Sequence, residues 1–133
     1  MGIPRQGDNM TQPTVLIADD VEELRLLLKK TVETLGFSVI ALVEDGNEAV
    51  AKIKELNPDI SFIDIEMPGK SGIDVLNILK ASQSKTFPVI ISGNSTVDNV
   101  KKVIELGAKG FIVKPYSFDK VKQITDKYLE SIK

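Results

Sequence analysis

Four short apolar runs in this sequence end on residues that can bind phosphate or a metal ion. Residues 15–18 lead into Asp19 and Asp20, residues 60–63 into Asp64, residues 89–91 into Ser92, and residues 111–113 into Lys114. In a parallel sheet with helices on both faces, the carboxyl ends of the strands share one edge, where ligands bind. We therefore predict that these side chains converge on one magnesium-dependent site that accepts a phosphoryl group.

Asp19 and Asp20 form an acidic pair directly after an apolar run. One interpretation is a helix N-cap with a second charge that favours the helix dipole. Two neighbouring carboxylates also repel each other, by ~4 kcal/mol at ~4 Å and an effective dielectric constant of ~20. A hard divalent cation removes that repulsion, and Mg²⁺ prefers carboxylates, water and phosphate as ligands.

The other three residues have both functional and ordinary interpretations. Asp64 is the candidate nucleophile, because carboxylates form acyl phosphates; otherwise it is a strand-end acid in a turn. Ser92 would donate a hydrogen bond to a phosphoryl oxygen, or serve only as a turn hydroxyl. Lys114 at the end of a buried strand needs an anionic partner, unless it is a plain exposed lysine. Pro115 can take the cis form, which would direct the ammonium across the strand ends.

The pattern along the chain alternates short strands with amphipathic helices. Strands are predicted near residues 14–18, 37–42, 59–63, 89–91 and 110–113. Helix N-caps are predicted at Asp45, Ser95 and Ser117, a further helix start near Ser71, and helix ends at Gly36, Asn57-Pro58 and Gly107. Parallel strands need crossover connections, so five strand–helix repeats predict an open α/β sheet.

Apolar stripes predict which helix faces are buried. In the first helix the stripe is Leu24, Leu27, Leu28, Thr31 and Leu35, and in the last it is Phe118, Val121, Thr125, Tyr128, Leu129 and Ile132. In the third strand, Ser61 stands among apolar residues, so its hydroxyl needs a local acceptor.

Length and composition fit one globular domain. The chain has 133 residues, of which 42% are hydrophobic and 27% charged. We assign residues 14–133 to the domain and residues 1–13 to a disordered tail or cloning remnant, with Met10 as an alternative start. The sequence lacks a secretory signal and an apolar run of roughly 20 residues, so no membrane is predicted. The absence of cysteine excludes disulfides and fits the cytoplasm.

Charge and histidine content restrict the partners. The formal net charge is −2, and histidine is absent, so any phosphohistidine must come from a partner. Residues 1–66 are acidic and residues 67–133 are basic. This asymmetry reflects solvated helix faces, or else a lysine-bearing surface for an acidic partner. Direct binding of nucleic acid is not predicted, because no basic cluster is interleaved with aromatics.

In combination, these motifs resemble the receiver domain of bacterial two-component response regulators, the CheY-like family. The resemblance covers about residues 14–132. It rests on Leu16-Ile17-Ala18-Asp19-Asp20, Ile63-Asp64-Ile65-Glu66-Met67-Pro68 with Gly72, Ile90-Ile91-Ser92-Gly93 and Gly110-Phe111-Ile112-Val113-Lys114-Pro115.

The resemblance implies a flavodoxin-like (βα)5 doubly wound parallel sheet with strand order 2-1-3-4-5. It implies that Asp64 accepts a phosphoryl group from a sensor histidine kinase or a histidine phosphotransfer protein. Asp19, Asp20, Asp64 and the backbone carbonyl of Glu66 would hold Mg²⁺. Lys114 would contact the phosphoryl oxygen, while Ser92 and Phe111 would move as switch residues.

By the same resemblance, phosphorylation would change binding of a downstream effector protein through the fourth helix, fifth strand and fifth helix. Lysines 101, 102, 109, 120 and 122 are expected on that face. The chain would not be an enzyme beyond magnesium-dependent self-phosphorylation and autodephosphorylation. The alternatives are a phosphorelay intermediate or phosphate sink, or a receiver fragment excised from a multidomain regulator.

Some residues depart from the family pattern. Phe111 stands where the family often has tyrosine, and Glu66 and Asn94 occupy positions that modulate phosphoaspartate lifetime. Glu66 is also expected to contact Lys114 in the resting state.

Other classes fit less well. An aspartyl phosphatase would have a second aspartate where Glu66 stands, and a flavin carrier would not have an acidic first loop. A degenerate receiver that acts as a constitutive scaffold stays open.

Overall fold

The computed structural model describes residues 12–93 and 97–133, which alternate strictly between strand and helix. The elements are β1 (Thr14–Ala18), α1 (Glu22–Thr34), β2 (Ser38–Val43), α2 (Gly46–Leu56), β3 (Ile60–Asp64), α3 (Gly72–Ala81), β4 (Phe87–Ser92), α4 (Val97–Glu105), β5 (Gly110–Val113) and α5 (Phe118–Ser131). All strand pairs are parallel, and their order is β2-β1-β3-β4-β5. The predicted flavodoxin-like fold is confirmed.

The sheet separates two apolar cores. Successive side chains of a strand point to opposite faces, so Val15 and Ile17 of β1 face α1 and α5. Leu16 and Ala18 face α2, α3 and α4. Because both faces are covered, the central strands are mostly apolar, with Ser61 as an internal exception. Their carboxyl ends open onto a single edge.

Local sequence signals define most helix ends as predicted. The Asp45 side chain accepts a hydrogen bond from the Glu48 amide at 2.8 Å, and Ser117 accepts one from Lys120 at 3.3 Å. Gly36 follows α1 with φ +96°, a left-handed conformation that suits glycine. The predicted N-cap Ser95 lies outside the described residues.

The predicted buried stripe of α1 is partly wrong. Leu28 and Val32 are buried, whereas Leu27 is 50% exposed and Thr31 is only half-buried. Leucines at several consecutive positions satisfy more than one helical spacing, and contact with the sheet selects the line through Leu28 and Val32.

The stripe of α5 was also predicted too wide. Val121, Thr125 and Tyr128 are buried, as predicted. The remaining members of the predicted stripe, Phe118, Leu129 and Ile132, are exposed. A helix contacts a sheet along one narrow stripe of its surface. Apolar side chains on either side of that stripe therefore stay exposed.

Pro88 lies inside β4 and not before it, which corrects the predicted start of that strand. The Phe87 amide donates a hydrogen bond to the Asp59 carbonyl, on the side of β3. Successive residues of a strand direct their hydrogen-bonding groups to opposite sides, so those of Pro88 point toward β5. There the Pro88 carbonyl accepts from Lys109, just before β5 begins. The missing N–H of Pro88 is tolerated because β5 has not yet begun at this level of the sheet, so no carbonyl of that strand is left without a donor.

The edge strand β2 contains a β-bulge. Val15 pairs with Val39, but the next residue, Leu16, pairs with Ala41. Ile40 is therefore the extra residue, and its side chain is 38% exposed.

In the described part of the chain, none of the helices combines the length and apolar character needed to cross a membrane.

The buried hydroxyl of Ser61 has the local partner that was predicted. Its Oγ lies 2.8 Å from the Oγ1 of Thr86, which is also buried. We expect Ser61→Ala to lower the free energy of unfolding by about 1–3 kcal/mol, because Thr86 is left with an unpaired buried hydroxyl. Urea unfolding measures this change.

The double variant Ser61→Ala/Thr86→Val is the matched control, because it removes the unpaired hydroxyl as well. It should recover part of the lost stability. A double variant less stable than Ser61→Ala would contradict this account.

Candidate functional site

Three carboxylates from two neighbouring strands meet at the carboxyl edge of the sheet. Asp19 and Asp20 follow β1, Asp64 ends β3, and oxygens of the three lie within 4.8 Å of one another. Asp19 and Asp64 are buried, at 1% and 4% exposure, while Asp20 is exposed. The β1–β3 pairing brings together residues that are some 45 positions apart in the chain.

Lys114, at the end of β5, reaches into this acidic cluster. Its Nζ lies 3.0 Å from Asp64 Oδ2 and 3.2 Å from Asp19 Oδ2, so one ammonium bridges the two buried acids. Burial lowers the pKa of Lys114, but the hydrogen bond and charge of Asp64, together with Asp19, outweigh this and raise it above its usual value. Lys114 therefore stays charged.

The expected contact between Glu66 and Lys114 is not formed among the described residues. Glu66 is exposed, and its backbone N–H donates to Asp64 Oδ1 at 3.2 Å. The Lys114 ammonium binds the buried carboxylates of Asp19 and Asp64 instead of Glu66, because water screens the charge of an exposed carboxylate.

Asp64 binds a proton more readily than an ordinary aspartate does. Burial raises the pKa of Asp64 from its ordinary 3.8 to about 6, and the charge of Asp19 adds to the shift. The hydrogen bonds from Lys114 and from the Glu66 amide lower the pKa and partly offset the rise. The site is thus short of positive charge in the absence of a further cation.

The Asp19 turn is fixed on three sides. Its N–H donates to the Val43 carbonyl at 3.1 Å, and its Oδ1 accepts from the Val21 amide at 2.9 Å. Arg25 donates from Nη1 to the Asp19 carbonyl at 2.6 Å, and its guanidinium also lies 3.9 Å from Glu44. Because the backbone is held in this way, the direction of the Asp19 carboxylate is set before any ligand binds.

The loop after Asp64 is fixed by close backbone contacts. The Gly72 amide donates to Ile65 at 2.9 Å, and the Gly46 amide of α2 donates to Pro68 at 3.2 Å. A Cβ on Gly46 would overlap the carbonyl of Lys70, so only glycine allows this approach. These contacts determine the path of the segment that carries the Glu66 carbonyl.

Ser92 ends β4, and Phe111 lies on the adjacent strand β5, where it pairs with Ile90. Ser92 is buried at 1% exposure, and its carbonyl accepts from the Lys114 amide at 2.8 Å. Phe111 is half-buried and packs against the core formed with α2, α3 and α4. Asn94 lies outside the described residues.

The sequence analysis missed two residues that support the site. Arg25 holds the Asp19 turn, and Tyr116 donates its hydroxyl to the Leu24 carbonyl at 2.8 Å. Both partners are backbone carbonyls, which carry no sequence signal. The only available signals were a basic residue one helical turn into α1 and a tyrosine two positions after Lys114.

The donor set suits a hard divalent cation. Three carboxylates offer oxygen ligands at close range, with one of them exposed to solvent. A single lysine does not neutralise three acids, so the pocket favours an added cation.

The fold and this arrangement define a receiver domain, and comparison with known proteins agrees. The model of one family, described as "Response regulator receiver domain", matches residues 15–126. The chain belongs to this family, which confirms the prediction of a two-component response regulator receiver.

Similar proteins include both single receivers and longer regulators. The chain is 36% identical to chemotaxis protein CheY of Bacillus subtilis (strain 168) over 115 residues, 86% of this chain and 96% of that protein. It is 34% identical over 116 residues to the "Probable C4-dicarboxylate response regulator DctR" of Priestia megaterium, covering 86% of this chain. The match spans 51% of that regulator, about half its length.

Solved structures show the same fold. The Francisella response regulator 1452 receiver domain has a TM-score of 0.83 at 29% identity, covering 90% of this chain and 99% of that one. A chain of the CheX-CheY-BeF3-Mg complex of Borrelia burgdorferi has a TM-score of 0.82 at 34% identity, covering 94% and 92%.

The raised pKa of Asp64 predicts a pH-dependent stability. Because the folded-state pKa of about 6 exceeds the ordinary 3.8, the folded state binds the proton more tightly. The stability contributed by protonated Asp64 is complete below about pH 4 and is lost as the pH rises through about 6. Asp64→Asn should therefore exceed wild type in stability by about 1–3 kcal/mol at about pH 7.5 without metal, and match it near pH 4.

Urea unfolding in EDTA at both pH values measures this difference. Asp126→Asn, which removes an exposed carboxylate paired with Lys122, is the control and should show no such pH dependence. Equal stability of wild type and Asp64→Asn at both pH values would contradict the assigned burial cost.

Proposed function

We propose that this receiver accepts a phosphoryl group on Asp64 and thereby changes the binding of a partner protein through the face formed by α4, β5 and α5. The observation that carries the proposal is the bridge from Lys114 to Asp64 and Asp19 beside the exposed acid Asp20. It combines a nucleophile, a fixed cation and a metal-binding acid in one pocket.

Asp64 is the group best placed to attack phosphorus. One carboxylate oxygen forms the new P–O bond while the bond from phosphorus to the donor breaks, and the donor keeps that electron pair. Carboxylates form such acyl phosphates, and transfer needs mainly positioning and charge stabilisation. The Glu66 amide and Lys114 hold the two Asp64 oxygens, at 3.2 Å and 3.0 Å, so the carboxylate is positioned before transfer.

Lys114 supplies fixed positive charge where the transferred group arrives. Its ammonium already contacts the Asp64 oxygen, so a phosphoryl oxygen attached there comes within its reach. Charge that is in position before the reaction stabilises the developing negative charge without reorganisation.

Asp19, Asp20, Asp64 and the backbone carbonyl of Glu66 would hold Mg²⁺. When bound, Mg²⁺ neutralises negative charge on the phosphoryl oxygens. Asp20 is exposed and therefore available from solvent, while Asp19 is fixed by Val21 and Lys114.

Ser92 and Phe111 would couple the site to the partner-binding face. The Lys114 amide is bound to the Ser92 carbonyl, and Phe111 pairs with Ile90 across β4 and β5. A new dianion at Asp64 would draw the Ser92 hydroxyl, and Phe111 would then turn into the space behind it.

The partners follow from the chemistry. The sequence lacks histidine, so a sensor histidine kinase or a histidine phosphotransfer protein would supply the phosphohistidine, most simply in the cytoplasm. A downstream effector protein would bind the α4–β5–α5 face, where Lys101, Lys102, Lys109, Lys120 and Lys122 are exposed. The similarity to CheY proteins does not favour the phosphorelay or phosphate-sink alternative.

Incubation with acetyl phosphate and Mg²⁺ should add one phosphoryl group per chain, read by intact mass spectrometry. Asp64→Asn should abolish the addition, because an amide is not a nucleophile for phosphorus. Asp126→Asn, an exposed acid on α5, should be labelled like wild type. Equal labelling of Asp64→Asn and wild type would remove Asp64 from this role.

Lys114→Ala should keep the fold but weaken switching. In wild type, beryllofluoride with Mg²⁺ should shift amide resonances of α4, β5 and α5 in ¹⁵N-correlated NMR spectra. In Lys114→Ala these shifts should be smaller or need more beryllofluoride, since the fixed ammonium is gone. Lys52→Ala, which removes a surface pair with Glu55 on α2, is the control. Wild-type shifts in Lys114→Ala would contradict the assigned role.

A further inference from the structure

We propose that Tyr116 is a positioning residue for Lys114: its hydroxyl anchors the segment after β5 to α1 and so holds the ammonium between Asp19 and Asp64. This inference rests on the proposed role of Lys114 in the site. It concerns a residue that touches neither of the two carboxylates.

The anchor joins distant parts of the chain. The Tyr116 Oη donates to the Leu24 carbonyl at 2.8 Å across 92 positions of sequence, and the ring is half-buried against the core next to α1 and α5. Leu24 lies in the first turn of α1, which follows the acidic pair. A contact across so many residues constrains the relative position of the two loops in a way that local contacts do not.

The anchor acts close to the lysine. Only Pro115 separates Tyr116 from Lys114, and the proline ring restricts the backbone between them. On the other side, the Lys114 amide donates to Ser92 at 2.8 Å. The segment is therefore held at both ends, which fixes the backbone position from which the lysine side chain reaches the two carboxylates.

The first turn of α1 serves both sides of the site. Arg25, next to Leu24, donates to the Asp19 carbonyl at 2.6 Å. The acidic turn after β1 and the lysine segment after β5 are thus fixed to consecutive residues of one helix. This common attachment sets the separation between the Lys114 ammonium and the Asp19 carboxylate, which is 3.2 Å.

The Tyr116 hydroxyl keeps its proton, and so remains a hydrogen-bond donor, at neutral pH. Burial raises the pKa of Tyr116 well above its ordinary value of 10.0, and the charges of Asp19 and Asp64 add to this rise. Tyr116 therefore does not lose its hydrogen-bonding proton near neutral pH.

Amine reactivity tests the anchor without any phosphoryl transfer. Metal-free protein is treated with trace acetic anhydride, and acetylation of each lysine is measured by peptide mass spectrometry. In Tyr116→Phe, Lys114 should react about 2- to 10-fold faster than in wild type, the change expected for loss of one net hydrogen bond. Lys122, a surface lysine on α5, should react at the same rate in both proteins.

Tyr128→Phe is the matched control. Tyr128 belongs to the same core, but packs against Phe37 and Phe87 at the amino ends of the strands, away from Lys114. The two Tyr→Phe variants remove the same atom from one core. Only Tyr116→Phe should release Lys114, so equal Lys114 reactivity in wild type and Tyr116→Phe would overturn the inference.

A double-mutant cycle links the anchor to the reaction. Rates of acetyl phosphate labelling are compared in wild type, Tyr116→Phe, Lys114→Ala and the double variant. If Tyr116 acts through Lys114, its substitution should slow labelling in wild type but change nothing in the Lys114→Ala background. Fully additive effects would overturn the inference.

The two proposals fail in different ways. If wild type is not labelled at Asp64, the proposed function fails, and the amine reactivity of Lys114 still decides whether Tyr116 positions it. If wild type is labelled but Lys114 reacts equally in wild type and Tyr116→Phe, only the positioning role fails.

Discussion

The shared ion pair of Lys114 with Asp19 and Asp64 is the interaction on which the site depends. Two buried carboxylates on adjacent strand ends repel each other, and removing either from water is costly. One ammonium at 3.2 Å and 3.0 Å makes the arrangement tolerable without completing the neutralisation. The raised pKa of Asp64 shows the remaining deficit of positive charge. Such a deficit favours an added cation, which a fully neutralised pocket would not attract.

The surrounding structure holds this unfavourable cluster in place with backbone contacts. Arg25 and Val43 secure the Asp19 turn, while Gly46 and Gly72 secure the loop after Asp64. These contacts depend on the close approach of main chains, which explains why glycine and one long basic side chain occur there. The parallel sheet supplies the frame, since its two apolar cores bind the strands from both faces. The repulsion and burial cost of the two carboxylates are thus offset by packing elsewhere.

Much of this was predictable from the sequence. Apolar runs that end on Asp19, Asp64 and Lys114 indicate both the parallel sheet and the edge where the side chains meet. Burial of particular helix positions was less predictable: Leu27 and Val32 both fit a helical stripe, and only the sheet decides between them. The contact of Tyr116 with Leu24 was beyond sequence reasoning, because a side chain that binds a distant carbonyl leaves no periodic pattern. Sequence patterns record local periodicity, whereas such contacts arise from three-dimensional packing.

The bulge at Ile40 has a consequence for how molecules of this protein meet. β2 is an outer strand, and its outer backbone groups offer a template onto which a strand of another molecule could be added. The extra residue interrupts the regular spacing of those groups and increases the local twist. An incoming extended chain would find matching partners over only a few residues. This irregularity therefore protects a sheet rich in valine and isoleucine against edge-to-edge aggregation.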